Sequence, residues 1–518
     1  MDPAFASQMA QGYRTDGPAI VLGSPMLEGE ILADVRVALP LSTANRHGLI
    51  TGATGTGKTK TLQVMAGQLS DAGVPVFVAD VKGDLTGLAS PGDASDERIR
   101  ERAASLRWPY QPAGHPIELL SLSGALGAPV RATVSSFGPL LLGKVMDLNE
   151  TQTSVLSMVF AYCDDHDLAL LDLDDLRTTL RFLSSDEGEP ALEAYGGMSR
   201  QTVGVLLRSI VTMEQEGIGA FFGEPAFEVE DLLRHTPDGR GVISVLELTD
   251  VMARPRLFST FMLWMLAQLY ATLPEVGDLP KPKLAFFFDE AHLLFADASD
   301  ALMEQIELTA RLIRSKGVGV YFVTHTPMDV PSSVLSQLGH RVQHALRAFT
   351  PKDADDLRKA ARTFPRTEHY DVEETITSLG IGEALVTVLS AEGVPSPLAA
   401  TRLIPPDSRM APADPEVLAS LIAGSPLRIR YLEAPDRESA HEILSARIAA
   451  AKAAAVPAPA VTVEGPGGAR RRRSTTPKAK VPESAAQGVS ETGLDTVGSV
   501  GGQRSLRALF GTLFGRGR

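Results

Sequence analysis

Apolar positions along this chain follow two rhythms. Continuous apolar runs at 47–51, 74–79, 241–248, 284–288, 318–324 and 383–389 predict strands buried on both faces. After the first of them, 60–72 has helical spacing, with Leu62, Val64, Met65 and Leu69 apolar and Gly73 as the stop. Strands alternating with helices predict an α/β fold with a parallel sheet covered on both faces. Upstream, short apolar runs separated by Gly and Pro predict a small β-rich element. Between 139 and 235 strand character gives way to helical spacing, with Leu141, Val145, Leu148, Val155, Met158 and Val159 on buried faces and Asn149-Glu150-Thr151-Gln152 as a helix start. This stretch reads as a helical insertion into the core.

The C-terminal part has a different texture. Ala, Pro, Gly and Ser dominate it, and the run Arg470 to Arg473 interrupts it. Such composition predicts a disordered linker, with the arginines as a solvated charge run or a contact for nucleic acid or phospholipid. Beyond it, Leu506, Leu509, Phe510, Leu513 and Phe514 form one apolar stripe of a helix, edged by Arg504, Arg507, Arg516 and Arg518. That helix is expected to dock on its own assembly, on a partner protein or on an anionic membrane. The chain therefore divides into a β-rich element (1–45), two core segments (46–138 and 236–449) around the insertion (139–235), a linker (450–503) and a terminal amphipathic helix (504–518).

Candidate chemistry sits on the first run. Gly52-Ala53-Thr54-Gly55-Thr56-Gly57-Lys58-Thr59 satisfies G-x-x-x-x-G-K-[ST] between a predicted strand and a predicted helix. Its glycines let successive backbone N–H groups face a phosphate chain, and the helix N-terminus that continues through Lys60 adds partial positive charge. Lys58 is placed to reach the β- and γ-phosphates and the Thr59 hydroxyl to ligate Mg²⁺. The run 284–288 ends in Asp289-Glu290. At the carboxyl end of a buried strand, Asp289 is suited to hold Mg²⁺ and Glu290 to polarise the water that attacks the γ-phosphate. The pair points to ATP hydrolysis; a GTPase or kinase is expected to lack it.

Composition narrows the setting. The 518 residues are 44% hydrophobic and 22% charged, ordinary for a soluble chain with two or three domains. No apolar run approaches the ~20 residues of a membrane span, and no secretory signal pattern is present, so a cytoplasmic protein is expected. Cys163 is the single cysteine, which excludes a disulfide within the chain and a multi-cysteine metal site, so zinc chemistry is not expected. Net charge is −14; residues 456–518 carry +6, which leaves −20 on the rest. An acidic body disfavours a broad nucleic-acid surface but leaves room for a narrow basic pore.

These residues resemble the HerA/FtsK branch of RecA-like ATPases, and within it the YjgR-type group of bacterial HerA-like proteins. The similarity rests on Asn45 to Ile50 running into the phosphate loop, Asp80 to Leu85, Phe222-Gly223-Glu224-Pro225, the stretch around Asp289-Glu290-Ala291-His292, and Arg341 to Arg347. The resemblance implies a RecA-like core, ATP and Mg²⁺ as ligands, and a ring, hexameric, with ATP bound between neighbours. Where the family carries Thr-Gln-x-Pro after the sensor strand, this chain has Thr324-His325-Thr326-Pro327. His325 is thus either the γ-phosphate sensor with altered reach or a satisfied strand-end residue. A ring also implies an arginine donated across the interface. Arg341 is the first candidate and Arg314 the second, with Arg311 and Arg347 behind them. Two functions remain open: a translocase or helicase acting on DNA, and a nucleotide phosphatase or ATP-dependent assembly switch with no nucleic-acid track. A motor tethered to a membrane by the terminal helix is a third.

Overall fold

A computed structural model describes residues 2–455 apart from 193, 194, 253, 278, 296–299, 434 and 436. The predicted linker from 456 onward and the terminal amphipathic helix lie outside the described residues. One sheet of thirteen strands organises the rest. In chain order these are β1 (Ala19–Leu27), β2 (Glu30–Ile31), β3 (Val37–Pro40), β4 (Gly48–Thr51), β5 (Val76–Asp80), β6 (Ile117–Ser121), β7 (Ala128–Pro129), β8 (Ile243–Glu247), β9 (Leu284–Phe288), β10 (Val318–Thr324), β11 (His340–His344), β12 (Glu383–Thr387) and β13 (Ala399–Leu403). From one edge the order is β7-β6-β8-β5-β9-β10-β4-β11, all parallel. The sheet then turns antiparallel through β12, β13 and β1, with β2 and β3 both paired to β1. The N-terminal strands thus continue the core sheet rather than standing apart from it.

The apolar runs are strands because both faces of the sheet are buried. All five residues of β9 are buried, and they alternate between two cores. Ala285 and Phe287 face one, Leu284, Phe286 and Phe288 the other. Stacked rings lock the register across strands: Phe286 on Phe77 with centroids 4.2 Å apart, Phe287 on Tyr321 at 4.8 Å and Phe288 on Phe322 at 5.2 Å. The first core is closed by α1 (Lys58–Asp71), whose Leu62, Met65 and Leu69 are buried in it.

The insertion between β7 and β8 is helical, as its spacing predicts. It comprises α2 (Val134–Val145), α3 (Glu150–Asp165), α4 (Leu173–Leu183) and α5 (Arg200–Gln215). Asn149 and Gln152 form the capping box that starts α3. The second face of the sheet is closed by α6 (Pro255–Thr272), whose Phe261 and Trp264 are buried among the insertion's apolar side chains. A final helix, α7 (Ala440–Ala455), returns to α4; there Thr178 Oγ1 lies 2.7 Å from His441 Nδ1 and the Ser439 hydroxyl meets the Asp175 carboxylate. Among the described residues no helix is long and apolar enough to cross a membrane.

The chain also holds elements that its pattern did not announce. Pro3–Gly12 is a helix that buries Phe5 and Met9 completely. Strand β11 reads His-Arg-Val-Gln-His, yet lies in mid-sheet, because its polar side chains find partners there. Strands β4, β5, β8, β9 and β10 all end at the same edge, and that edge carries the site.

Candidate functional site

The phosphate loop leaves β4 and enters α1. Gly52 N–H donates to the His325 carbonyl (3.1 Å) and Ala53 N–H to the Ala345 carbonyl (2.8 Å), so the loop is anchored on both neighbouring strands. A Cβ on Gly52 would stand 2.5 Å from His344 Cβ, and Gly57 adopts φ +116° as the helix cap, so both positions require glycine. Thr54 and Gly55 form the exposed tip, Thr56 is buried, and Thr59 is half-buried at the helix start. Lys58 is 6% exposed and donates to the Gly52 carbonyl at 2.8 Å and the Ala53 carbonyl at 3.3 Å. Burial lowers its pKa, an effect that the nearby carboxylate of Glu290 opposes. Lys60 points elsewhere, to the Met410 carbonyl.

Carboxylates crowd the ends of β5, β8 and β9. Asp80 and Glu247 are register partners, and Asp289 follows Phe288, the partner of Ala79. Asp289 is 1% exposed; its Oδ1 accepts from the Glu290 N–H at 3.0 Å, and its Oδ2 has no partner among the described residues. Burial, reinforced by Glu290, pushes its pKa up to about 7. Burial likewise raises Asp80 to about 6, and burial together with Asp80 raises Glu247 to about 8. Asp80 also shapes the local backbone. It accepts from the N–H groups of Lys82, Gly83 and Leu85, and so fixes the turn that presents Lys82.

Lys82 crosses to the next strand end and pairs with Glu290 Oε1. Glu290 itself adopts φ +50°, unusual for a residue with a side chain, and is buried. Burial works to raise its pKa, but the Lys82 hydrogen bond and charge prevail, helped by His325 and His292, and hold it below the ordinary carboxylate range. Its Oε2 lies 3.3 Å from His325 Nε2 and 3.3 Å from His292 Nδ1. The structure therefore brings Lys58, Thr59, Asp289, Glu290 and His325 to one edge.

The sequence model of the helicase HerA-like C-terminal family matches residues 27–518. The chain belongs to this family. No curated protein matches it. Solved structures resembling this HerA-like chain include the bacterial conjugative coupling protein TrwBdeltaN70 in an unbound monoclinic form, with 15% identity, a TM-score of 0.48, and 79% of this chain and 94% of that one covered. TrwB in complex with a non-hydrolysable ATP analogue has 15% identity and a TM-score of 0.48 over 78% and 98% of the two chains. VirB4 of Thermoanaerobacter pseudethanolicus has 14% identity and a TM-score of 0.44 over 75% and 98%.

Of the candidate arginines of this HerA-like chain, Arg341, Arg314 and Arg311 lie away from the phosphate edge, whereas Arg347 follows the carboxyl end of β11, two residues past the Ala345 carbonyl that accepts from Ala53. Arg341 lies near the start of β11, far along the strand from the end that abuts the loop. Its guanidinium donates to the carbonyls of Leu338 (3.4 Å), Thr363 (3.3 Å) and Leu335 (3.3 Å). Arg314 precedes β10 and is exposed, as is Arg311; Arg347 is exposed and donates to the Thr377 carbonyl. Three residues that site reasoning from the sequence did not single out matter here. His344 Nε2 pairs with the Thr61 hydroxyl at 2.9 Å and backs Gly52, while burial lowers its pKa to about 3 and keeps it neutral. Lys82 and Asp80 stand in a family-like stretch, and only the fold reveals that they serve Glu290. Beside Gly57 a cavity of about 260 Å³ opens, lined by Thr61, Arg102, Ile381, Leu403, Ile404 and Met410 among others.

Proposed function

We propose that this HerA-family protein hydrolyses ATP with Mg²⁺ as part of a ring, and that the ring drives movement along DNA. The observation that carries the hydrolysis is the unpartnered, buried Oδ2 of Asp289 beside the phosphate loop, with Glu290 next to it. A buried carboxylate oxygen without a donor is driven towards its neutral form unless a cation meets it, so the donor set fits Mg²⁺ held by Asp289 and the Thr59 hydroxyl. When bound, Mg²⁺ neutralises charge that builds on the β- and γ-phosphates.

The rest of the reaction falls to the chain itself. Backbone N–H groups from Gly55 to Thr59 and the α1 dipole bind the phosphates. Lys58 exchanges the Gly52 and Ala53 carbonyls for phosphate oxygens. The cavity beside Gly57, walled by aliphatic side chains, suits the nucleoside. Glu290, kept ionised and aimed by Lys82, orients the attacking water and accepts its proton late. The loose transition state of phosphoryl transfer asks more for positioning than for a strong base. His325, within reach of the same carboxylate, faces the γ-phosphate. The arginine supplied to a neighbour must be exposed and away from its own phosphate edge. Arg314 meets both demands, whereas Arg341 must first leave three carbonyls.

DNA as the track rests on family membership. The acidic body, −20 over residues 1–455, favours the second reading, a nucleotide phosphatase or assembly switch without a track. Phosphate release at low salt with and without duplex or single-stranded DNA separates them. A motor is accelerated by DNA, and the acceleration fades as salt rises. An unchanged rate at every salt concentration refutes the DNA reading and leaves the switch.

A further inference from the structure

Glu290 carries two imidazoles on the oxygen that Lys82 leaves free. Its Oε2 is 3.3 Å from His292 Nδ1 and 3.3 Å from His325 Nε2, and the three ligand atoms lie within 4.8 Å of one another. Glu290 Oε2 and His292 Nδ1 are both buried and without a hydrogen-bond partner among the described residues. Two ligand atoms at corners of a tetrahedron with arms of ~2.0–2.1 Å are separated by about 3.3 Å. Two edges of such a polyhedron are thus already in place, and the third closes by rotation of the half-exposed His325. Two imidazoles and one carboxylate are donors for zinc and its first-row neighbours, whereas Mg²⁺ takes oxygen ligands.

We propose that Glu290, His292 and His325 form a binding site for a divalent transition-metal ion of the zinc class, and that its occupancy switches hydrolysis off. The site is distinct from the Mg²⁺ position at Thr59 and Asp289, and it uses no cysteine. Lys82 keeps Oε1, so the carboxylate binds through one oxygen and the fourth tetrahedral position is left to water. Metal on Oε2 takes up the lone pair that faces the attacking water. The inhibition therefore rests on the assignment of Glu290 as the water-orienting carboxylate, while the binding does not.

The test uses the full chain, freed of metal and nucleotide, titrated with Zn²⁺ against a chromophoric chelator. One zinc per chain is expected, with His292→Gln and His325→Gln each weakening binding at least about tenfold, since even outer-shell partners of a metal are worth 10–100-fold. In saturating Mg²⁺ and ATP, Zn²⁺ should slow the wild type, the chelator should restore it, and His292→Gln should lose the inhibition, its rate with Zn²⁺ equalling its own metal-free rate. Wild-type zinc affinity in both histidine variants overturns the site. Variant-sensitive binding with no effect on turnover leaves the site standing but overturns the switch, while the role of Glu290 is decided separately by phosphate release from Glu290→Gln.

Discussion

Replacing Glu290 by glutamine is the sharpest perturbation of this site. It removes a charge and a proton acceptor while keeping shape, and the amide oxygen still accepts from Lys82. Loss of a positioned base commonly costs ~10²–10⁴ in rate, or about 2.7–5.4 kcal/mol of barrier at 1.36 kcal/mol per decade. The structure places the loss at the low end. Lys82 holds the carboxylate pKa down, so Glu290 is a weak base whose main contribution is orientation. About a hundredfold slower phosphate release is expected. Folding should change little, because the amide keeps the shape of the side chain and still accepts from Lys82, whose own side chain is 44% exposed. The assay is phosphate release at saturating ATP and Mg²⁺, with nucleotide binding and thermal melting measured on the same samples. Wild-type turnover with intact binding would refute the assignment.

Three further outcomes are expected. Lys58→Ala should abolish hydrolysis and weaken nucleotide binding, with a small fall in melting temperature from the two loop carbonyls that the buried ammonium holds without nucleotide; measurable turnover would count against the loop reading. Arg314→Ala should slow turnover with ATP affinity kept, and mixing it with Glu290→Gln subunits should restore activity at interfaces that pair an intact Arg314 with an intact Glu290. Arg341→Ala, by contrast, should lower melting, because the guanidinium ties down three carbonyls of its own chain. A pH effect follows from His115, buried between Asp407 (3.0 Å) and Asp71 (3.4 Å). Burial alone would lower its pKa, but the two carboxylates raise it to about 9. Its stabilisation is present in full below pH 6.5 and is lost as pH rises through about 9. Asp289 and Glu247, with pKa values raised to about 7 and about 8, also lose stability as pH rises through part of that window. The diagnostic is therefore the difference between wild type and Asp407→Asn, which should shrink from pH 6.5 to 9.5 in a melting series.

Much of this arrangement is legible in the sequence because doubly buried strands are written as unbroken apolar runs. The segment 284–288 could be nothing else, and the acids following it had to emerge at the sheet's carboxyl edge. The reading stops where burial is satisfied by hydrogen bonds instead of apolar surface. Strand β11 contributes Gln343, which accepts from Thr51 Oγ1 at 2.7 Å, and His344, paired with Thr61. No periodicity marks it, so Arg341 could not be placed along its strand, and its three carbonyl partners come from residues up to 22 positions away. Lys82 is hidden for a related reason: its partner is 208 residues distant, and only the pairing of β5 with β9 brings them together.

Buried carboxylates at the carboxyl edge of the sheet are treated differently from the buried imidazole of His340 at the opposite edge. Near the start of β11, His340 is fully enclosed, and both ring nitrogens are used. Nε2 donates to the Thr43 carbonyl at 2.8 Å, and Nδ1 accepts from the Leu389 N–H at 3.3 Å; burial lowers the pKa to about 4. That is a neutral ring fixed in one tautomer, a structural part. At the carboxyl edge the same fold leaves Asp289 Oδ2, Glu290 Oε2 and Glu247 Oε1 without hydrogen-bond partners among the described residues. It also raises two acids there to about 7 and about 8, and it holds Glu290 at φ +50°. Each of these departures costs stability. A sheet selected for stability alone would close them, as it does around His340. Unspent carboxylate acceptors, raised acid pKa values and the strained backbone of Glu290 sit together where Lys58, Lys82 and the phosphate loop also converge, which is the arrangement expected of a surface whose missing partners are a cation, a phosphate chain and a water molecule.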